Sequence, residues 1–188
     1  MFPCYLYLMP SFSDPNELLT QVSDDDTVVF GPVTRRSVHG NPDLIHRSTH
    51  VLVVHPEDGT LLLQKRSAAK DTFPGHWDTS VGGHVTFGQS YEEAAVRETE
   101  EELGLTVTPS DLISLYPSRF RGSQESENTM TFLCLHRGPF VPNPEEIDAL
   151  RFWTRAEIVA ALGTEAFTPH FEAEFAAFIG SPRGSLLT

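Results

Sequence analysis

The stretch that most limits how this chain can fold runs over residues 83–105. Gly83 and Gly88 open it, a helical pattern fills it and Gly104 closes it. Ser90 with Glu93 three residues later reads as a capping box, in which each side chain satisfies a backbone N–H that the first turn leaves free. Gly104 stands where a left-handed C-terminal cap is needed, a conformation open to glycine because it has no Cβ. Tyr91, Ala94, Ala95 and Thr99 recur at helical spacing and are expected to face a core.

The charge on this helix needs a second explanation. Glu98, Glu101 and Glu102 stand at i, i+3 and i+4 and share one face. Each like-charged pair at that spacing costs about 0.2–0.5 kcal/mol. They also occupy the last turn, the end of the helix dipole that disfavours anions. Arg97 can answer Glu93 or Glu101, yet one cation does not balance the group. Two readings are open: a solvated acidic face, or a site for a hard divalent cation such as Mg²⁺, which takes carboxylate oxygens and bridges to substrate phosphates.

Gly83, Arg97, Glu98, Glu101, Glu102, Gly104 and Leu105 stand at the spacing of the Nudix box, and the stretch resembles that motif. Gln89 departs from it where a glutamate belongs, and Thr99 where an aliphatic residue belongs. The resemblance implies that Glu98, Glu101 and Glu102 hold the metal, Mg²⁺ with Mn²⁺ as an alternative, and that Arg97 orients them. It also implies a catalytic role for this set.

Composition narrows the partners. A net charge of −13 on 188 residues argues against nucleic acid or an anionic membrane as a bulk partner. The same charge repels a polyanionic substrate unless a metal and a few local cations receive it. Cys4 and Cys134 build no disulfide framework, and Cys134, within an apolar run, is expected to be a buried free thiol. No apolar run approaches the roughly 20 residues of a membrane span. Residues 1–10 lack a basic leader and are broken by prolines, so a cytoplasmic setting is expected. The sequence leaves a homodimer open.

Residues 1–26 read as an extension, 27–180 as the domain and 181–188 as a tail. A short strand is expected over 28–30, a buried strand over 51–54, a returning hairpin strand over 61–64 and a short strand over 79–81. Further strands are expected over 112–116 and 129–136 and up to Trp153, with residues 119–128 a long surface loop. Thr154 and Glu157 make another capping box, for a helix ended by Gly163. Thr168 and Pro169 open a final helix with Phe171, Phe175 and Phe178 as its buried stripe. Strands and helices in this mixed order suggest helices packed on a mixed sheet; the Nudix resemblance makes this an α/β class, α/β/α sandwich.

Lys65, Arg66 and Lys70 read either as a solvated edge or as the local positive site that a pyrophosphate requires. His39, His46 and His50 are, by the common use of histidine, structural. The resemblance extends beyond the box, roughly over residues 28–179. His46 with Arg47, residues 70–78, and Gly83 with His84 and Val85 look like the branch that contains isopentenyl diphosphate isomerases and related hydrolases. It implies that His39, His46 and His84 match metal-binding histidines of the isomerases, and that Arg35, Arg66 and Lys70 match basic residues set against a diphosphate. Isomerisation needs a cysteine where Gly82 stands, and glycine has no side chain to carry a proton. His170 also stands where those enzymes have a tryptophan.

The expected function is therefore that of a metal-dependent pyrophosphohydrolase. It would cleave a diphosphate linkage in a nucleoside diphosphate derivative or related small molecule. Arg97, Glu98, Glu101, Glu102 and Glu146 are the expected catalytic residues, with Glu101 or Glu146 as the base. Arg35, Arg66, Lys70 and Gly83 are expected to bind substrate, and residues 73–77 and 119–128 to read the group beyond the diphosphate. A non-catalytic ligand-binding module and an isomerase are the alternatives.

Overall fold

In the computed structural model, which describes residues 14–70 and 72–188, the strands are β1 (Leu18–Val22), β2 (Val29–Thr34), β3 (His46–Val54), β4 (Leu61–Arg66), β5 (Trp77–Asp78), β6 (Val81–His84), β7 (Leu112–Arg121), β8 (Ser126–Leu135) and β9 (Ile147–Trp153). The helices are α1 (Arg35–Val38), α2 (Tyr91–Leu103), α3 (Arg155–Ala161) and α4 (Pro169–Gly180). Cys4 and the apolar residues Phe2, Tyr5, Leu6 and Tyr7 lie outside the described residues, as does Asp71.

The described strands join one mixed sheet centred on β3. β8 runs parallel to β3 from His46↔Glu127 to Val54↔Leu135, and β6 runs antiparallel to its first half from Ser48↔His84 to Val51↔Val81. Successive strand residues point to opposite faces, so β3 feeds two cores. Val51 and Val53 pack with Val81, Phe132, Ala95 and Leu103 beneath α2. Leu52 and Val54 pack with Leu133, Ile158, Phe171, Phe175 and Phe178 beneath α3 and α4. The architecture is the expected α/β/α arrangement around a mixed sheet.

Helix ends match the sequence signals. Glu93 N donates to Ser90 Oγ at 3.1 Å while Ser90 N donates to Glu93 Oε2 at 2.8 Å. Gly104 caps α2 at φ 61°, and Thr154 with Glu157 repeats the box for α3. Cys134 is buried and free. Among the described residues, no helix is long and apolar enough to cross a membrane.

Several expectations are corrected. Residues 119–128 are not a surface loop: β7 continues to Arg121 and β8 begins at Ser126, leaving a tight turn closed by Gly122 N to Glu125 O at 2.9 Å. The polar residues there are held by distant partners, such as Arg121 Nη2 on Asn128 Oδ1 at 2.7 Å and on Asp24 Oδ1 at 2.9 Å. The strand near residue 28 starts at Val29 and continues through Pro32, which an edge strand tolerates. The strand after residue 79 begins at Val81. β4 meets β3 only at Val54↔Leu61 and takes β9 as its main neighbour. The sheet also crosses the boundary drawn at residue 26, because β1 precedes it and pairs with β2 beyond it. Within the segment read as a tail, Leu187 is buried in the second core.

Phe175 is 1% exposed between α4 and the sheet. Phe175→Ala should lower unfolding free energy by about 3–5 kcal/mol in urea denaturation; a loss below about 1 kcal/mol would contradict the packing described.

Candidate active site

The site occupies the polar half of strands whose other half is core. On the face that carries Leu52 and Val54, β3 presents His46, Ser48 and His50, and β8 presents Glu127, Thr129 and Thr131 beside them. β6 sets His84 against Ser48 and Gly82 against His50. A cavity of about 520 Å³ opens there, and Arg35, Arg66, Lys70, Gly83, Arg97, Glu98, Glu101, Glu102 and Glu146 all reach its wall. The structure thus brings the expected catalytic and substrate-binding residues to one cavity.

The paired glycines of β6 form a thin wall between two clusters. Gly82 faces His50: a Cβ there would lie 3.3 Å from His50 Cδ2. Gly83 faces α2, and a Cβ on it would land inside the Glu98 carboxylate. Only glycine allows the acidic end of α2 to pack this closely on the strand.

On the α2 side Arg97 organises the carboxylates. Its Nη1 donates to Glu101 Oε2 at 2.7 Å, Nη2 lies 2.9 Å from Glu98 Oε1 and donates to His84 O at 2.9 Å, and Nε donates to Gln89 Oε1 at 3.3 Å. Glu102 Oε2 accepts from Gln64 Nε2 at 3.0 Å and from Gly82 N at 3.2 Å. Burial pushes the Glu98 carboxyl up to about 7, with Glu101 adding to it and Arg97 opposing. Burial and then the charges of Glu146 and Glu98 push Glu102 well above the usual range. Glu146 is 7% exposed and pairs with Lys70 Nζ at 2.8 Å. Arg66 is likewise paired, with Asp78 Oδ2 at 3.2 Å.

On the other side the ligating atoms of His46, His84 and Glu127 lie within 4.8 Å of one another. His46 Nε2 is buried without a hydrogen-bond partner, 3.4 Å from Glu127 Oε1. Burial, then His46 and the Arg35 guanidinium, hold His84 well below the usual histidine range. It is neutral at pH 7, the state that binds metals. Burial alone would raise the Glu127 carboxyl, but the adjacent His46, then the charges of His84 and His50, keep it low and ionised. Two imidazoles, one carboxylate and an orphaned buried nitrogen suit a divalent transition ion. His39 joins the edge of this group, its ring 5.4 Å from that of His84.

Among the described residues, Glu98, Glu101 and Glu102 converge less tightly than this set. Arg97 draws two of them toward itself while Gln64 and Gly82 hold the third. Their oxygen-only donors, desolvated and mutually repelling, nevertheless fit a hard dication. Sequence reasoning missed Glu127, Glu125, Asp78 and Glu174. The alternation Glu125, Glu127, Thr129, Thr131 is the strand-period signal that could have found the first two.

The family model described as the NUDIX domain matches residues 44–175. An uncharacterised Nudix hydrolase of Yersinia pestis is 35% identical over 150 residues, covering 79% of this chain and 78% of that protein. An isopentenyl-diphosphate Delta-isomerase of Streptomyces avermitilis is 32% identical over 160 residues, covering 82% and 80%. The crystal structure of DR0079 from Deinococcus radiodurans superposes with a TM-score of 0.64 at 26% identity, covering 79% of this chain and 90% of that one.

Glu98 carries a testable pH dependence. Its folded pKa of about 7 exceeds the ordinary 4.5, so its contribution to stability is complete below pH 4.5 and is lost as pH rises through 7. At 1.36 kcal/mol per unit the loss is on the order of 3 kcal/mol. In metal-free urea denaturation, Glu98→Gln should therefore match wild type near pH 4 and exceed it near pH 8. A variant less stable than wild type at pH 8 would contradict the buried charge.

Proposed function

This chain belongs to the Nudix family, and from that we propose that it is a divalent-metal-dependent hydrolase of a diphosphate linkage, acting on a nucleoside diphosphate derivative or a related small molecule. The observation that carries the reading is the burial of Glu98 and Glu102 against Gly82 and Gly83, at the wall of a cavity that also holds Arg35, Arg66 and Lys70. Mg²⁺ or Mn²⁺ bound by Glu98, Glu101 and Glu102 would screen phosphate charge and lower the pKa of water.

The chain's own residues do the rest. Arg97 fixes Glu98 and Glu101 while holding β6 through the His84 carbonyl. Arg66 and Lys70 sit at the cavity wall on short tethers to Asp78 and Glu146, ready to exchange a carboxylate for a phosphate oxygen. Gly83 lets backbone approach the substrate closely. Glu146, buried beside Glu102, takes the proton of the attacking water, since Glu101 is clamped by Arg97. His46, His84 and Glu127 would hold a second divalent ion on the far side of the glycine wall. A cytoplasmic setting agrees with the free Cys134.

Gly82 supports hydrolysis over isomerisation, because the wall there carries no proton-transferring side chain of its own. A ligand-binding module draws support only from Gln89, whose amide oxygen meets Arg97 where a carboxylate would add charge.

Hydrolysis of ADP, ADP-ribose and UDP-glucose, followed as the AMP or UMP formed, should depend on added Mg²⁺. Glu101→Gln and Glu102→Gln should each lower it by at least about 10²-fold, several kcal/mol of lost metal assistance. Tight binding of these ligands with no turnover would favour the module; unchanged turnover in both variants would overturn the site.

A further inference from the structure

One buried polar assembly at the cavity has no part in the chemistry above. His50 Nδ1 lies 2.8 Å from Glu174 Oε2 on α4. Thr131 Oγ1 donates to the same oxygen at 3.2 Å, and Tyr116 on β7 donates to Glu174 Oε1 at 2.6 Å. Burial alone would raise the Glu174 carboxyl, but the bond and charge of His50, with Tyr116 and Thr131, bring it below the usual range. An ionised carboxylate only accepts, so Nδ1 is the donor and the ring orientation is fixed.

The other edge of the ring turns to the cavity. Among the described residues His50 Nε2 has no hydrogen-bond partner, and it is not among the enclosed orphan atoms. It reaches the cavity across Gly82, where a Cβ would stand 3.6 Å from Nε2. Gly82 N in turn donates to Glu102 Oε2 at 3.2 Å. A single glycine therefore separates this imidazole from the carboxylate cluster. An imidazole backed by a buried carboxylate, with its second nitrogen open to a cavity, is the arrangement by which histidine moves protons.

We propose that His50 is a catalytic residue of this cavity, the general acid that delivers a proton from Nε2 to the departing phosphate oxygen, and that Glu174 is its positioning residue. The proposal rests on the hydrolase reading. The water oxygen bonds to one phosphorus as the bond from that phosphorus to the bridging oxygen breaks. The water proton passes to Glu146, and the bridging oxygen leaves with the Nε2 proton of the imidazolium. Solvent then removes a proton from Glu146 and returns one to His50, so the sum is diphosphate plus water to two phosphates.

The surroundings favour the charged ring. Glu174 and His170 face it from α4, Glu127 from β8 and Asp78 from β5. Burial pushes its pKa down, but the bond and charge of Glu174, then Glu127 and Asp78, leave it above the ordinary value. These groups favour the protonated ring that the acid role needs, and activity should fall on the alkaline side as it deprotonates.

The test is the pH profile of kcat and KM for the whole chain with Mg²⁺, using ADP, ADP-ribose and UDP-glucose. His50→Gln should lose about 10²–10⁴-fold in kcat together with the alkaline limb, with KM changed less than about twofold. Glu174→Gln should keep the limb but shift it to lower pH, an effect a merely structural network would not produce. If His50→Gln keeps both rate and limb, the acid role falls while the hydrolase reading stands on its Glu102→Gln readout. If His50→Gln fails to fold, an unmoved limb in Glu174→Gln overturns the role. Absence of wild-type turnover on all three probes overturns both.

Discussion

Desolvated like charge beside a glycine strand sets the character of this molecule. Glu98 and Glu102 are 8% and 3% exposed, and their neighbours include Glu101 and Glu146 as well as Arg97 and Lys70. A chain gains nothing in folding stability from such an arrangement. It persists because Gly83 has no Cβ to displace Glu98 and because Arg97, Gln64 and the Gly82 amide supply hydrogen bonds. The cost is confined to one end of α2, whose other contacts, Ala94, Ala95, Thr99 and Leu103, are ordinary core.

Core and site are two halves of the same strands. On one face of β3, His46, Ser48 and His50 give way to Leu52 and Val54, and on β8 Glu127, Thr129 and Thr131 give way to Leu133. The apolar half is gripped by the phenylalanines of α4, which also carries Glu174 toward the polar half. Register, once fixed by the apolar residues, determines which polar residues meet. A one-residue slip would send His46 and His50 to the α2 face.

Much of this was legible in local sequence. The capping boxes at Ser90 and Thr154, the Gly104 cap and the Phe171, Phe175, Phe178 stripe all express interactions within one helical segment, and all are present. The Nudix resemblance supplied the family and the fold. Whatever depended on partners far along the chain was hidden. Glu127 and Asn128 looked like loop residues because their neighbours are polar, yet His46 is 81 residues from Glu127 and pairs with it across β3 and β8. Asn128 donates back to Ser23 O at 3.1 Å, which is why a stretch read as an extension is tied to the sheet. His50 read as structural because nothing near it in sequence announces Glu174.

The most direct test of the central claim is an anomalous difference map from crystals soaked in Mn²⁺. The account expects one peak among Glu98, Glu101 and Glu102 and another among His46, His84 and Glu127, on opposite sides of Gly82 and Gly83. A map empty at α2, with Glu98 and Glu102 still packed on β6 or turned to solvent, would contradict the claim that these carboxylates are buried for a dication.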